Sequence, residues 1–183
     1  MFDTGSTAPT GQTAIVIVPP PDIRGFADHY RQKYAAEQIW RIEAHITVDY
    51  PFVPFDRIEE AEERLRLLFA KCPPRAVAIR GFGIFPEDKV LYLRLAKPER
   101  VTSLYEAVLA EFPQYPAYGR QPEEFVPHMT VGLFSDAEEL ERVYSELAPL
   151  RLFIAWDVES VYLIYKTADG TWHPWAEIPL GEG

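Results

Sequence analysis

The sequence predicts an α+β fold of two lobes related by a pseudo-two-fold axis. Each lobe is built β-α-β-α, with antiparallel sheets facing a central cleft and helices outside. Three observations predict it. The tetrapeptide His-x-Thr-Val occurs twice, in "AHITVDYPF" from Ala44 and in "PHMTVGLF" from Pro127, and each copy runs into an aromatic residue. At average residue usage a given His is followed by Thr and Val at these offsets roughly once in 200–300 cases, so two accidental copies would be rare. The flanking elements then fall into the same order in both halves, with Pro19 lying 26 residues before His45 and Pro98 lying 30 before His128. An internal duplication is the economical reading. If the repeated strands face each other across the pseudo-axis, His45 and His128 meet in one cleft.

Each element has its own signal. Thr13–Pro20 is an apolar, β-branched run stopped by prolines, hence a strand. Residues 21–38 place Ile23, Phe26, Tyr30 and Tyr34 at helical spacing, with Asp22 as a candidate cap. Residues 41–52 read as the first motif strand, ending at Pro51. Residues 56–74 read as a helix capped by Asp56, with Ile58, Ala61, Leu65, Leu68 and Phe69 inward and Pro73 and Pro74 as the stop. Residues 75–96 give two strands joined at "PEDK", and 97–112 a helix with Val101, Leu104, Tyr105, Val108 and Leu109 inward. A loop rich in Pro, Gly and Tyr leads to the second motif strand, 128–134, and a helix over 135–147. Residues 151–167 hold two strands, and a turn at "ADG" precedes a final strand over 171–180.

Composition bounds the function. The 183 residues, 48% hydrophobic, fit a single domain with a packed core, here 13–183 as two interleaved lobes after a flexible tail over 1–12. A net charge of −10 argues against an extended nucleic-acid surface, though not against a small anion or a nucleic-acid end held locally. Cys72 is the single cysteine, so no internal disulfide forms and a reducing cytoplasm is expected. No apolar run of membrane-spanning length exists, and the first residues lack the basic and apolar regions of a signal peptide.

The motif itself carries chemistry. In a strand, residues i and i+2 share a face, so His45 points with Thr47 and His128 with Thr130, while Ile46, Val48, Met129 and Val131 point into the core. Two imidazoles suit in-line phosphoryl transfer, one neutral as general base and one protonated as general acid. Two hydroxyls can donate to the non-bridging oxygens of a phosphate held between them. A lone His-x-Thr strand is ordinarily a satisfied, half-buried histidine; duplication reverses that balance.

On these residues the sequence resembles the two-histidine (2H) phosphoesterase superfamily, in its bacterial 2'-5' RNA ligase and cyclic phosphodiesterase branch. "AHITVDYPF", with Pro51 and Phe52, matches the first motif of that family; "FVPHMTVGLF", with Phe125 and Pro127, matches the second; "GFGIFPEDKVLYLRL" is similar to the intervening hairpin. The resemblance covers roughly Thr13 to Leu180. It implies a bilobal fold and cleavage or ligation of 2'-linked phosphates, commonly 2',3'-cyclic phosphodiesters, without a metal or other cofactor. It assigns catalysis to His45 and His128 and phosphate binding to Thr47 and Thr130. Many relatives carry a basic residue just after the second motif, where this chain has Leu133.

Other residues weigh less. Glu43 and Asp49 share strand parity with His45 and can orient or tune it, but the second copy has Val126 and Gly132 there, which favours solvated strand ends. Arg80, Arg94 and above all the loop residue Arg120 are candidates for phosphate contact. Tyr165 and Trp156 are candidates for stacking a base, against the usual core role of strand aromatics. His173 and His29 read as structural or solvated, and Cys72 as packing. The expected partner is a nucleotide or an RNA terminus. The leading reading is a phosphoesterase. A module that binds the same ligand without turnover is the alternative, and two histidines without a convergent carboxylate make a poor zinc site.

Overall fold

The computed structural model describes residues 8–37, 39, 41–117 and 124–181. The element order is β1 (Pro9–Ile17), α1 (Pro21–Tyr34), β2 (Ile46–Asp49), a 3₁₀ turn (Phe55–Arg57), α2 (Ile58–Phe69), β3 (Arg75–Phe85), β4 (Val90–Leu95), α3 (Glu99–Glu111), β5 (His128–Leu133), α4 (Ala137–Leu147), β6 (Ile154–Val158), β7 (Ser160–Thr167) and β8 (Trp172–Pro179). They form two four-stranded antiparallel sheets, β2-β1-β7-β8 and β5-β4-β3-β6. The orders correspond position for position, so the fold is α+β with the duplicated architecture the repeats predict.

The halves exchange strands. The first copy's β3 joins the second copy's sheet beside β4, and the second copy's β7 returns to pair with β1. Helices exchange too: α1 packs on β5 and α3 on β2. One continuous core results, joining Ile15, Ile17, Ile46 and Val48 of one sheet to Leu91, Leu93, Met129 and Val131 of the other, with Ala27, Leu65, Phe69, Leu104 and Val143 from the helices. The motif strands β2 and β5 are edge strands of their sheets, and they contact each other. Each thereby shields the other's exposed edge.

Element boundaries differ from the sequence reading for physical reasons. β1 begins at Pro9, so 9–12 belong to the sheet and not to a tail; the Thr10 hydroxyl donates to the Lys166 carbonyl at 3.0 Å. Residues 1–7 lie outside the described residues. Asp22 does not cap α1: Pro20 holds the cap position, and Pro21 opens the helix where a missing N–H costs nothing. Asp56 does not cap α2 either, because the 3₁₀ turn consumes it. Asp136 caps α4, accepting from the Glu138 amide at 2.9 Å. No helix among the described residues is long and apolar enough to cross a membrane.

The first motif strand spans Ile46–Asp49, shorter than its apolar pattern suggests, and a bulge falls within it. Val16 pairs with Thr47 but Ile15 with Asp49, leaving Val48 as an extra residue. The second copy repeats this: Tyr92 pairs with Thr130 but Leu91 with Gly132, leaving Val131 as the extra residue. Beyond the bulge the chain faces the core. A Cβ on Gly132 would lie 2.8 Å from Phe134 Cε2 and 3.1 Å from the Cβ atoms of Leu91 and Tyr34. Gly132→Ala is therefore expected to destabilise the protein by about 1–3 kcal/mol through overpacking, measured as a shift in the urea unfolding midpoint; an unshifted midpoint would show that the second bulge tolerates a side chain.

Candidate active site

Both motif histidines are held in the same way. His45 Nδ1 lies 2.7 Å from the Glu43 carbonyl oxygen, and His128 Nδ1 lies 2.8 Å from the Val126 carbonyl oxygen. A carbonyl only accepts, so each Nδ1 carries the proton and each Nε2 is presented as the working nitrogen. The carbonyl two residues before each histidine does this, not an acidic side chain. Glu43 instead pairs its carboxylate with Arg24.

The surroundings of the two imidazoles differ. His45 is pushed down to about 4, first by burial of its ring. The bond to the Glu43 carbonyl opposes that shift, and the positive charges of Arg31 and His128 add to it. His128 is packed by aromatics. Its ring meets Phe85 edge-on at 4.8 Å and Tyr92 at 5.1 Å, and those two stack on each other at 4.4 Å.

Two recesses flank the motif strands. One, of about 720 Å³, is lined by His128, Thr130 and Thr47 together with Tyr50, Phe85 and Phe125. The other, of about 580 Å³, has His45 on its wall, and its floor is the face of the first sheet that carries Val16, Tyr162, Ile164 and Trp172. The structure therefore brings His128 and both hydroxyls to one space and sets His45, the residue just before β2, at the neighbouring one.

The remaining candidates separate. Arg94 stands directly opposite His128 in the β4–β5 ladder and is exposed on that face. Arg80 is also exposed, and its carbonyl accepts from Arg94 Nε at 3.4 Å. Arg120 lies outside the described residues. Tyr165 lines neither recess, contrary to its candidacy for substrate contact. It packs against Phe55 at 5.1 Å and Trp175 at 6.2 Å, the ordinary role of a strand aromatic. Leu133 ends β5 as an exposed apolar side chain. Sequence reasoning missed Phe85 and Tyr92, whose place beside His128 is set by the register of the β3–β4 hairpin and not by spacing from the motif. Among the described residues no three His, Cys, Asp or Glu side chains converge as a metal site.

The comparisons with known proteins agree with this architecture. The sequence profile of the 2'-5' RNA ligase superfamily matches residues 19–170. A protein of Geobacillus kaustophilus, provisionally named a phosphoesterase, is 30% identical over 161 residues, covering 86% of this chain and 90% of its own. A Bacillus cereus protein with the same provisional name is 30% identical over 173 residues, covering 92% and 96%. Among solved structures, a Thermus thermophilus protein superposes with a TM-score of 0.69 at 17% identity, over 94% of this chain and all (100%) of its own. Escherichia coli LigT complexed with NADP+ superposes with a TM-score of 0.65 at 19% identity, over 95% and 99% of the two chains. LigT has also been crystallised with 3'-AMP and with ATP.

Asp49 departs furthest from expectation. It is not a solvated strand end. The bulge turns it toward Ile15, it is wholly buried, and neither carboxylate oxygen has a hydrogen-bond partner among the described residues. Burial pushes its carboxyl up to about 8. The folded state therefore holds a proton there that the unfolded chain releases near pH 4, and stability falls as pH rises toward 8. His45 acts oppositely: its depressed value makes stability rise from about pH 4 to the ordinary imidazole range near 6.5. The two slopes cancel below about 6.5 and Asp49 alone acts above it. Asp49→Asn is expected to remove a loss on the order of 2 kcal/mol between pH 6.5 and 8, read as the difference between urea-unfolding free energies of wild type and variant across pH. Parallel curves for the two proteins would refute it.

Proposed function

The chain belongs to the 2'-5' RNA ligase superfamily, and from that premise we propose that it is a phosphodiesterase cleaving a 2',3'-cyclic or 2'-linked phosphodiester of a nucleotide or RNA end by paired imidazole catalysis. One observation carries the reading. The same geometry occurs twice on two contacting edge strands: an imidazole whose Nδ1 is tied to the carbonyl two residues back, with a hydroxyl two residues on.

The asymmetry of the pair supports a division of roles. His45, neutral at physiological pH, takes the proton of the attacking water on Nε2 as that oxygen bonds to phosphorus. His128, in its protonated form, gives its Nε2 proton to the departing ribose oxygen as the opposite P–O bond breaks. The proton gained by one imidazole equals the proton lost by the other, so the pair resets by exchange with solvent. Thr47 and Thr130, which line one recess with His128, donate hydrogen bonds to the non-bridging oxygens. Arg94 stands opposite His128 in the β4–β5 ladder as an exposed cation.

The test is turnover of a panel of 2',3'-cyclic nucleotides and 2'-5'-linked dinucleotides, with products separated to show which ester bond breaks. His45→Ala and His128→Ala are each expected to lose about 10²–10⁴-fold in rate. The double variant should lose far less than the product, because both groups act in one transition state. Near-full activity in either variant, folded by circular dichroism, would sink the proposal; binding without turnover would make the protein a nucleotide-binding module instead.

The pH profile tests the assignment of roles. The acid limb of kcat/KM reports the base and is expected near pH 4, where burial has placed His45, and not in the ordinary imidazole range. The alkaline limb follows loss of the His128 proton. A limb unchanged from that of free imidazole would reverse or abolish the assignment. Since imidazoles move both protons, activity is also expected to survive excess chelator; loss on chelation with recovery on adding zinc or manganese would instead mark a metallohydrolase.

A further inference from the structure

Arg31 is 4% exposed, the one buried cation among the described residues. An arginine is seldom buried unless partners hold it, so its place needs a cause. Its guanidinium donates to the Asp28 carboxylate at 2.7 Å and to the Ile42 carbonyl at 2.6 Å. Asp28 lies on the same helix, α1; Ile42 lies in the segment 41–45, ahead of β2 and outside its ladder. That segment carries the Glu43 carbonyl to which His45 Nδ1 is tied.

The second half has a counterpart of different chemistry. Phe125, like Ile42, stands three residues before its motif histidine. It packs on the fully buried Tyr105 of α3, with ring centroids 4.8 Å apart. Each helix also crosses to the other half, α1 packing on β5 and α3 on β2. Each therefore grips the approach to one histidine while resting on the strand of the other. The grip is an aromatic contact ahead of His128 and a charge-assisted hydrogen bond ahead of His45.

We propose that Arg31 is a positioning residue for His45: by fixing the Ile42 carbonyl to α1, it holds the Glu43 carbonyl where that oxygen orients the imidazole. This rests on the reading of His45 as a working imidazole and deepens it. Arg31 lines neither recess, so it acts through the backbone and not on a ligand. A planar guanidinium suits the task, because its fork reaches the Asp28 carboxylate and the Ile42 carbonyl together. The other holds on the segment are less direct. The Trp172 amide donates to the Arg41 carbonyl at 2.8 Å, one residue further from the histidine. Arg24 pairs with the Glu43 carboxylate, an exposed group and a weak restraint on the carbonyl of the same residue.

The test reads the imidazole itself, by nitrogen NMR on isotope-labelled histidine at about pH 8, where an ordinary imidazole is neutral. A ring fixed in one tautomer gives two widely separated nitrogen shifts, and exchange between tautomers draws them together. Wild-type His45 is expected to show the fixed form with its proton on Nδ1. In Arg31→Met the two His45 shifts should converge while those of His128 stay in place. The kcat for a 2',3'-cyclic nucleotide should fall on the order of 10–100-fold with KM within about twofold, the cost of misplacing a catalytic group. Where Arg31→Met does not fold, Arg31→Gln, whose amide ends short of the guanidinium fork, is read by the same rule. Unmoved His45 shifts in the folded variant would overturn the proposal. Equal movement of His128 would also overturn it, since that is general loosening of the fold. So would converged His45 shifts with an unchanged kcat, because the orientation would then not serve the reaction. Converged shifts in a protein whose wild type turns over no cyclic nucleotide or 2'-5'-linked dinucleotide would refute the phosphodiesterase reading and leave the hold of Arg31 on His45 standing.

Discussion

The bulge that follows each motif threonine is the constraint on which the site depends. A regular strand alternates strictly, so the side chain two residues past Thr47 would share the cleft face with it. The extra residues Val48 and Val131 break that alternation. His and Thr keep the open face, the valine fills the core, and the next residue turns inward as well. A bulge also bends its strand and raises the local twist. Here two bent edge strands run against each other across the pseudo-axis. The cost appears at the inward-turned position. Gly132 meets it by having no side chain; Asp49 meets it by burying a carboxyl without a partner.

Pseudo-symmetry in the backbone coexists with asymmetry in the surroundings of the two histidines. The carbonyls of Glu43 and Val126 fix the same tautomer twice, so both Nε2 atoms are available for proton transfer. A symmetric pair of imidazoles would share one tendency to protonate, which is a poor start for acid–base catalysis. The protein separates them through surroundings. His45 is half-buried at the wall of its recess and carries the repulsion of Arg31, a guanidinium fixed by Asp28 at 2.7 Å and by the Ile42 carbonyl at 2.6 Å. His128 is packed by the faces and edges of Phe85 and Tyr92 instead. Gly83 is what permits that packing: a Cβ there would lie 2.5 Å from the Tyr92 ring. Environments that push two like groups apart are how one fold assigns an acid and a base.

Much of this was legible in the sequence, because repetition and apolar periodicity survive without coordinates. The doubled His-x-Thr-Val, the order of elements and the parity of His45 with Thr47 all follow from side-chain alternation. What stayed hidden depends on partners distant in the chain. The bulges are a property of register against β1 and β4, so Asp49 read as a strand end by parity alone. The histidine tethers are backbone carbonyls, which no residue type announces. Asp22 and Asp56 had the chemistry of caps, but Pro21 and a 3₁₀ turn supplied the helix starts. Residues 9–12 look like a polar tail until β7 is placed beside them. Phe85 and Tyr92 sit in a hairpin whose relation to His128 exists only once β4 and β5 pair.

The proposed substrate is an anion, and the chain is acidic, with a net charge of −10. The surface arginines of the helices are largely consumed locally: Arg57 with Glu60, Arg64 with Glu111, Arg66 with Glu62 and Arg142 with Glu146. Such exposed pairs contribute little stability, but they remove the free cations that an extended phosphate track would need. Arg94 and Arg80 stand apart on the open face of the second sheet, beside the imidazole to which departure of the leaving group is assigned. In the proposed reading a phosphate is held by a few directional donors, Thr47 and Thr130 with the two imidazoles, more than by the field of a chain whose net charge is −10.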